Sequence, residues 1–283
     1  MTAAGRRPAP PRPATAELNG ITVSYAESGE GPLVLMIMGT GSPGRVWQAH
    51  QVPALVRAGF RVVTFDNRGI PPTSECPDGF TLADMVDDTA ALIEHLGAPA
   101  LVVGTSLGAR IAQELTLSRP DLVRGVALLG TYGRVTPLVS AFSAGELALI
   151  DAGIELPGDY HAAITAKQNL SPHTLADDRA ARDWLDVIGF GGQTRSAGLR
   201  AQLSLPEREE NRLAAYAGID RPCLVVGFAD DQTLPVQLAR EVAEAVPGSR
   251  YAEVERAGHF GYLEHPETVN ELLIDFLRGV AGE

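Results

Sequence analysis

The chain has 283 residues, enough for one large domain or two small ones, with 45% apolar residues and a net charge of −12. That acidity argues against nucleic acid and anionic membrane surfaces as main partners, and it fits a soluble small-molecule enzyme as well as many other things. Two cysteines, Cys76 and Cys223, stand in neither CxxC nor metal-ligand spacing, so neither a disulfide framework nor a metal site is expected.

In chain order, residues 1–14 are rich in proline and arginine and lack the apolar stretch of a signal peptide. They read as a disordered arm, and a cytoplasmic location follows by default. No run is long and apolar enough to span a bilayer. Residues 16–18 and 21–26 flank Asn19-Gly20, a hairpin signal. Leu33 to Ile37 is continuously apolar, as a strand covered on both faces should be, and a glycine-rich loop, residues 38–44, follows it. A helix is expected over 46–58 and a strand over 61–65. Thr81 caps a helix over 82–96, with Asp84 in its first turn. Strands follow at 101–103 and 123–129. From 135 to 217 only helical segments are read. Strands and helices then alternate again through 223–227, 235–246, 250–254 and 266–278. This alternation predicts a mostly parallel sheet with helices on both faces.

The central stretch is Leu101 to Ala112. A short buried strand runs into Gly104-Thr105-Ser106-Leu107-Gly108, and an amphipathic helix follows. This is the strand, sharp turn and helix of a nucleophile elbow. A serine in a strained turn needs neighbours without Cβ two residues away on each side, and Gly104 and Gly108 provide that. The hydroxyl of Ser106 would stand above the strand end, at a helix N-terminus that favours negative charge.

With these motifs together, the chain resembles the α/β-hydrolase fold superfamily. The resemblance implies a doubly covered sheet of about eight strands with an inserted helical cap. The core would comprise 15–134 and 218–283, and the cap 135–217. In that family the order is serine, acid, histidine. Ala257-Gly258-His259-Phe260 resembles the family's Gly-His motif, which makes His259 the base. The acid is Asp231 or Asp230: Gly-x-x-Asp spacing selects Asp230, and Asp-x-x-x-Pro spacing selects Asp231. The proline that starts the next helix favours Asp231. The remaining histidines, His50, His95, His161, His173 and His265, are given no role.

The resemblance also implies an oxyanion hole made by the N–H groups of Thr40 and Leu107. Met38 stands where the family usually has histidine, which removes a polar brace from that loop. Asp66 and Arg68 are read as an ion pair pinning loops beneath the site. Thr105 is smaller than the residue often found beside the nucleophile and would leave room for a bulky substrate. Met38, Thr105 and Trp184 are candidate substrate contacts, and the large apolar residues of the cap, Phe142, Tyr160, Leu170 and Phe190 among them, are expected mostly to pack the cap inward.

The function so implied is serine hydrolysis of a carboxylic ester, lactone or thioester of a mainly apolar small molecule, such as a natural-product intermediate, without a cofactor. Two alternatives stay open on the same fold: a non-hydrolytic tailoring enzyme that forms or cleaves carbon–carbon bonds, and a non-catalytic ligand-binding module. No dinucleotide fingerprint is present, and the oligomeric state is not readable.

Overall fold

The computed structural model describes residues 11–192, 195–205 and 211–282. Strands β1 (Arg12–Leu18) and β2 (Ile21–Ser28) form an antiparallel hairpin about Asn19-Gly20. Both turn residues take positive φ, 47° and 76°, as a two-residue primed turn requires. Residues 12–14, expected within a disordered arm, are strand instead. They pair with Glu27, Ala26 and Tyr25, and Pro13 is tolerated because β1 is a sheet edge. Residues 1–10 of the expected arm lie outside the described residues.

Six further strands complete the sheet: β3 (Leu33–Ile37), β4 (Arg61–Phe65), β5 (Ala100–Thr105), β6 (Val123–Leu129), β7 (Cys223–Phe228) and β8 (Arg250–Val254). Their order is β1-β2-β4-β3-β5-β6-β7-β8, and every pair from β4 onward is parallel. In chain order the helices are α1 (Gln51–Arg57), α2 (Leu82–Leu96), α3 (Leu107–Ser118), α4 (Pro137–Asp151), α5 (Gly158–Asn169) and α6 (Pro172–Leu175). Then come α7 (Asp178–Gly191), α8 (Ala197–Leu203), α9 (Val236–Ala245), α10 (Gly261–Glu264) and α11 (Pro266–Ala281). Among the described residues, no helix is long and apolar enough to cross a membrane.

Side-chain alternation along each strand divides the core in two. Leu33, Leu35 and Ile37 of β3 join Ile93, Ile111, Leu115 and Val242 on the face covered by α2, α3 and α9. Val34 and Met36 point the other way, toward Leu55, Leu273, Phe276 and Leu277 of α1 and α11. Both faces are dry, which explains why β3, β5 and β7 read as unbroken apolar runs.

The helix expected over 46–58 is interrupted. A 3₁₀ turn, Gly44–Ala49, stops at His50 (φ −138°), and α1 starts afresh. Pro53 then falls in the first turn of α1, where its missing N–H costs no helical hydrogen bond. Thr81 and Asp84 cap α2 reciprocally: Asp84 N donates to Thr81 Oγ1 (3.2 Å) and Thr81 N to Asp84 Oδ2 (2.7 Å). Cys76 and Cys223 are free, and burial pushes the Cys223 thiol up to about 12.

The expected Asp66–Arg68 ion pair does not form. Arg68 instead makes a two-pronged bridge to Asp88 on α2, at 2.8 and 2.6 Å, the geometry a planar guanidinium prefers. Asp66 accepts the N–H of Gly44 at 2.8 Å, and burial raises its carboxyl pKa. Arg68→Met leaves the carboxylate of Asp88, only 3% exposed, with the Asn19 amide as its remaining partner. That substitution is expected to cost about 2–4 kcal/mol in urea unfolding. A loss below about 0.5 kcal/mol would show that the bridge contributes nothing net.

Between β6 and β7 the described residues form helices α4 to α8 and no strand. Leu170 is fully buried, but Phe142, Tyr160 and Phe190 are 44%, 57% and 95% exposed, so the expected inward packing fails for these three. For Phe190 the reason is local: α7 has no buried residue, and its main contacts are with α5 and α6. Gly189 and Gly191 lie inside α7.

Candidate functional site

Ser106 sits between the last residue of β5 and the first of α3, with φ 55° and ψ −123°. Those angles belong to a region that glycine favours, so the neighbours must hold the serine there. They do so at close range. A Cβ on Gly104 would lie 2.3 Å from the carbonyl oxygen of Gly108, and one on Gly108 would lie 2.2 Å from that of Ile37. Ser106 N donates to Leu129 O on β6 (3.0 Å), and Ser106 O accepts from Arg110 N (3.1 Å), which starts α3.

The loop after β3 passes directly over this turn. A Cβ on Gly39 would be 3.0 Å from Ser106 Cβ and 3.5 Å from its Oγ. Thr40 follows Gly39, and Leu107 is the first residue of α3. Among the described residues neither N–H has a protein acceptor. Met38 is buried, and its carbonyl accepts from the side-chain amide of Asn67 (2.8 Å). Thr105, the last residue of β5, is also buried, and its hydroxyl has no partner among the described residues.

Asp231 lies on the loop after β7, and His259 on the loop after β8. Asp231 Oδ1 accepts the N–H groups of Thr233 (2.9 Å) and Leu234 (2.7 Å). Its Oδ2 lies 2.6 Å from His259 Nδ1. Both side chains are buried, at 1% and 9% exposure. A carboxylate only accepts, so Nδ1 carries the proton and Nε2 keeps a lone pair. Asp230, the other candidate acid, is held elsewhere: its Oδ2 accepts from Ser171 Oγ at 2.6 Å.

Helices α5 and α6 hold these two loops in place. Thr233 Oγ1 donates to Gln168 O (3.0 Å), and Phe260 N to Asn169 O (2.8 Å). Glu264 accepts from Gly258 N (2.7 Å) with one oxygen, and from Ser171 N (3.0 Å) and the Thr174 hydroxyl with the other. Nothing in the local sequence around Glu264, Asn67 or Gln202 signals these contacts, whose partners lie far along the chain or in backbone groups.

A cavity of about 390 Å³ opens within the helical segment. Phe142, Leu149, Ile150, Ile164 and Leu199 supply apolar wall, and Glu146, His161, Gln168 and Arg195 supply polar groups. Burial lowers the pKa of the His161 imidazole, and desolvation raises that of the Glu146 carboxyl. Two of the wall residues abut the site loops. Leu199 Cδ1 would lie 3.1 Å from a Cβ on Gly41, and Gln168 carries the carbonyl bonded by Thr233. Trp184 does not line this cavity: it is half-buried on α7, which packs against α5 and α6.

A family model described as "Alpha/beta hydrolase family" matches residues 34–272. The chain is 46% identical over 261 residues to "Putative non-heme bromoperoxidase BpoC" of Mycobacterium tuberculosis, covering 92% of this chain and 99% of that one. A crystal structure of that protein superposes with a TM-score of 0.87 at 45% identity, over 91% of this chain and 96% of the other. A more distant relative, "Putative carbamate hydrolase RutD" of Caulobacter vibrioides, is 29% identical over 279 residues, covering 93% and 94% of the two chains.

Proposed function

Because the chain belongs to the alpha/beta hydrolase family, we propose that it is a serine hydrolase acting on a carboxylic ester, lactone or thioester of a mainly apolar small molecule. The observation that carries this reading is the buried 2.6 Å contact between Asp231 and His259, on loops that leave the same edge of the parallel sheet as the strained turn that presents Ser106. Ser106 Oγ attacks the carbonyl carbon as His259 Nε2 takes its proton. The N–H groups of Thr40 and Leu107 stabilise the oxyanion of the tetrahedral intermediate. His259 then gives the proton to the leaving group, and an acyl-enzyme forms on Ser106. Water repeats the sequence and releases the acid. Asp231 holds the imidazole tautomer and stabilises the imidazolium.

Intact mass after treatment with a fluorophosphonate tests this. One adduct is expected on the parent protein and none on Ser106→Ala. A folded parent protein that takes no adduct would remove the serine hydrolase reading and leave the non-hydrolytic and binding alternatives.

Helices α4 to α8 act as the cap, and their cavity takes the part of the substrate remote from the scissile bond. At roughly 30 Å³ per heavy atom, its 390 Å³ holds about a dozen non-hydrogen atoms. Among p-nitrophenyl esters, kcat/KM is therefore expected to peak at acyl chains of about six to ten carbons. Ile150→Trp, which fills the cavity, should lower kcat/KM on the octanoate by about 30-fold or more and change the acetate by less than about threefold. An unchanged chain-length profile would place the acyl group outside this cavity.

A second reading is favoured by the 46% identity to a relative named as a bromoperoxidase. Hydrogen peroxide in place of water would attack the same acyl-enzyme, Ser106 would leave with the proton from His259, and the product would be a peracid able to oxidise bromide. Bromination that requires both a carboxylic acid and peroxide, and that disappears in Ser106→Ala, is the corresponding test.

A further inference from the structure

The geometry points to Gln202 as a positioning residue for the oxyanion hole, supplied by the helical segment and not by the core. This rests on the assignment of Thr40 and Leu107 as the oxyanion donors. Gln202 lies on α8 and is 1% exposed. Its Oε1 accepts the N–H of Gly41 at 2.8 Å, and its Nε2 donates to the carbonyl of Arg68 at 2.9 Å. Both ends of the amide are thus engaged, one on the loop after β3 and one on the loop after β4.

The partner of this clamp stands on the other side of Thr40. Asn67, 2% exposed, donates from Nδ2 to the carbonyl of Met38 at 2.8 Å. Two buried amides therefore hold the backbone at Met38 and at Gly41, and only Gly39 and Thr40 lie between. Gly39 is pressed against Ser106, so a small rotation at Gly41 would turn the Thr40 N–H away from the developing oxyanion. Two contacts fix where α8 sits. The backbones of Gly198 and Gly69 approach so closely that a Cβ on Gly198 would be 2.1 Å from Gly69 O, and Leu199 lies against Gly41. The amide of Gln202 thus has a defined origin from which to reach the loop.

The test is Gln202→Met, which conserves volume and removes both hydrogen bonds. With p-nitrophenyl hexanoate, kcat is expected to fall by about 10- to 100-fold with KM within about threefold, because a displaced donor loses part of what a deleted donor would. The decisive readout is a trifluoromethyl ketone bearing the same acyl chain, whose hemiketal oxyanion occupies the hole. Its inhibition constant should rise by the same factor by which kcat/KM falls. A purely structural role would lower the melting temperature but leave kcat and ketone affinity unchanged well below it. That result, or a rise in KM alone, overturns the assignment. Should Gln202→Met not fold, Gln202→Leu, which also removes both hydrogen bonds, is measured in the same way. Ketone affinity falling in step with kcat/KM supports the role, and unchanged affinity overturns it. Fluorophosphonate labelling of the parent protein separates the two levels. No adduct there sinks the serine hydrolase reading, whereas a labelled parent with an unaffected variant sinks only Gln202.

Discussion

Ser106→Ala is expected to lower kcat/KM on an activated ester by at least about 10⁴-fold while the chain still folds. The residual rate would come from binding and from the oxyanion donors alone. The same position links activity to stability. At φ 55° and ψ −123° a side chain costs about 1–3 kcal/mol relative to a relaxed backbone. Alanine keeps that strain, and glycine releases it. Ser106→Gly should therefore be as inactive as Ser106→Ala but more stable, by about 1 kcal/mol or about 2–4 °C in Tm. Calorimetry on the three proteins beside their ester kinetics checks both parts. More than 1% of parent activity in Ser106→Ala would exclude Ser106 as the nucleophile, and equal melting of the two variants would show that no strain is held at the turn.

The second large effect separates the adjacent aspartates. In Asp231→Asn the side-chain carbonyl keeps the two N–H groups of Thr233 and Leu234. The amide nitrogen is then left facing His259 Nδ1. A donor in that position forces the imidazole proton onto Nε2, where it can no longer accept from Ser106. A fall in kcat of about 10³- to 10⁴-fold is expected. Asp230→Asn still offers an oxygen to Ser171 Oγ and should stay within about fivefold of the parent. Steady-state kinetics on both variants decides. Equal losses, or a larger loss for Asp230, would overturn the assignment of Asp231.

The fold was legible because its signals are local. Asn19-Gly20 specifies a two-residue turn by its own backbone preferences, and the apolar runs of β3, β5 and β7 show that both faces of those strands are dry. The elbow at Ser106 is similarly self-contained, since the close approaches at Gly104 and Gly108 occur within the motif and the adjacent strand. What the sequence left open depends on distant partners. Two spacing rules for the acid disagreed by one residue. The difference lies in which carboxylate the turn at Thr233 and Leu234 turns toward His259, 28 residues on. Gln202 and Asn67 escaped notice because their acceptors and donors stand 161 and 29 residues away, and a lone amide has no periodicity to reveal it. Arg68 was paired with the nearest acid in sequence, but α2 brings Asp88 to it in space. The exposed aromatics of α4, α5 and α7 show a further limit: apolar composition says that a residue would gain from burial, not that the fold provides a partner for it.

Segment 168–174 is bonded to the loops that carry Asp231 and His259, and α8 to the loop that carries Thr40. Freeing either end would expose several buried donors and acceptors of the core loops at once, each of them costly to leave unpaired. The helices between β6 and β7 are therefore expected to unfold together with the α/β sheet. With the cavity as the proposed substrate site, exchange is expected through local breathing of α4, because swinging the whole segment aside, α5 included, would break the bonds that hold the site loops.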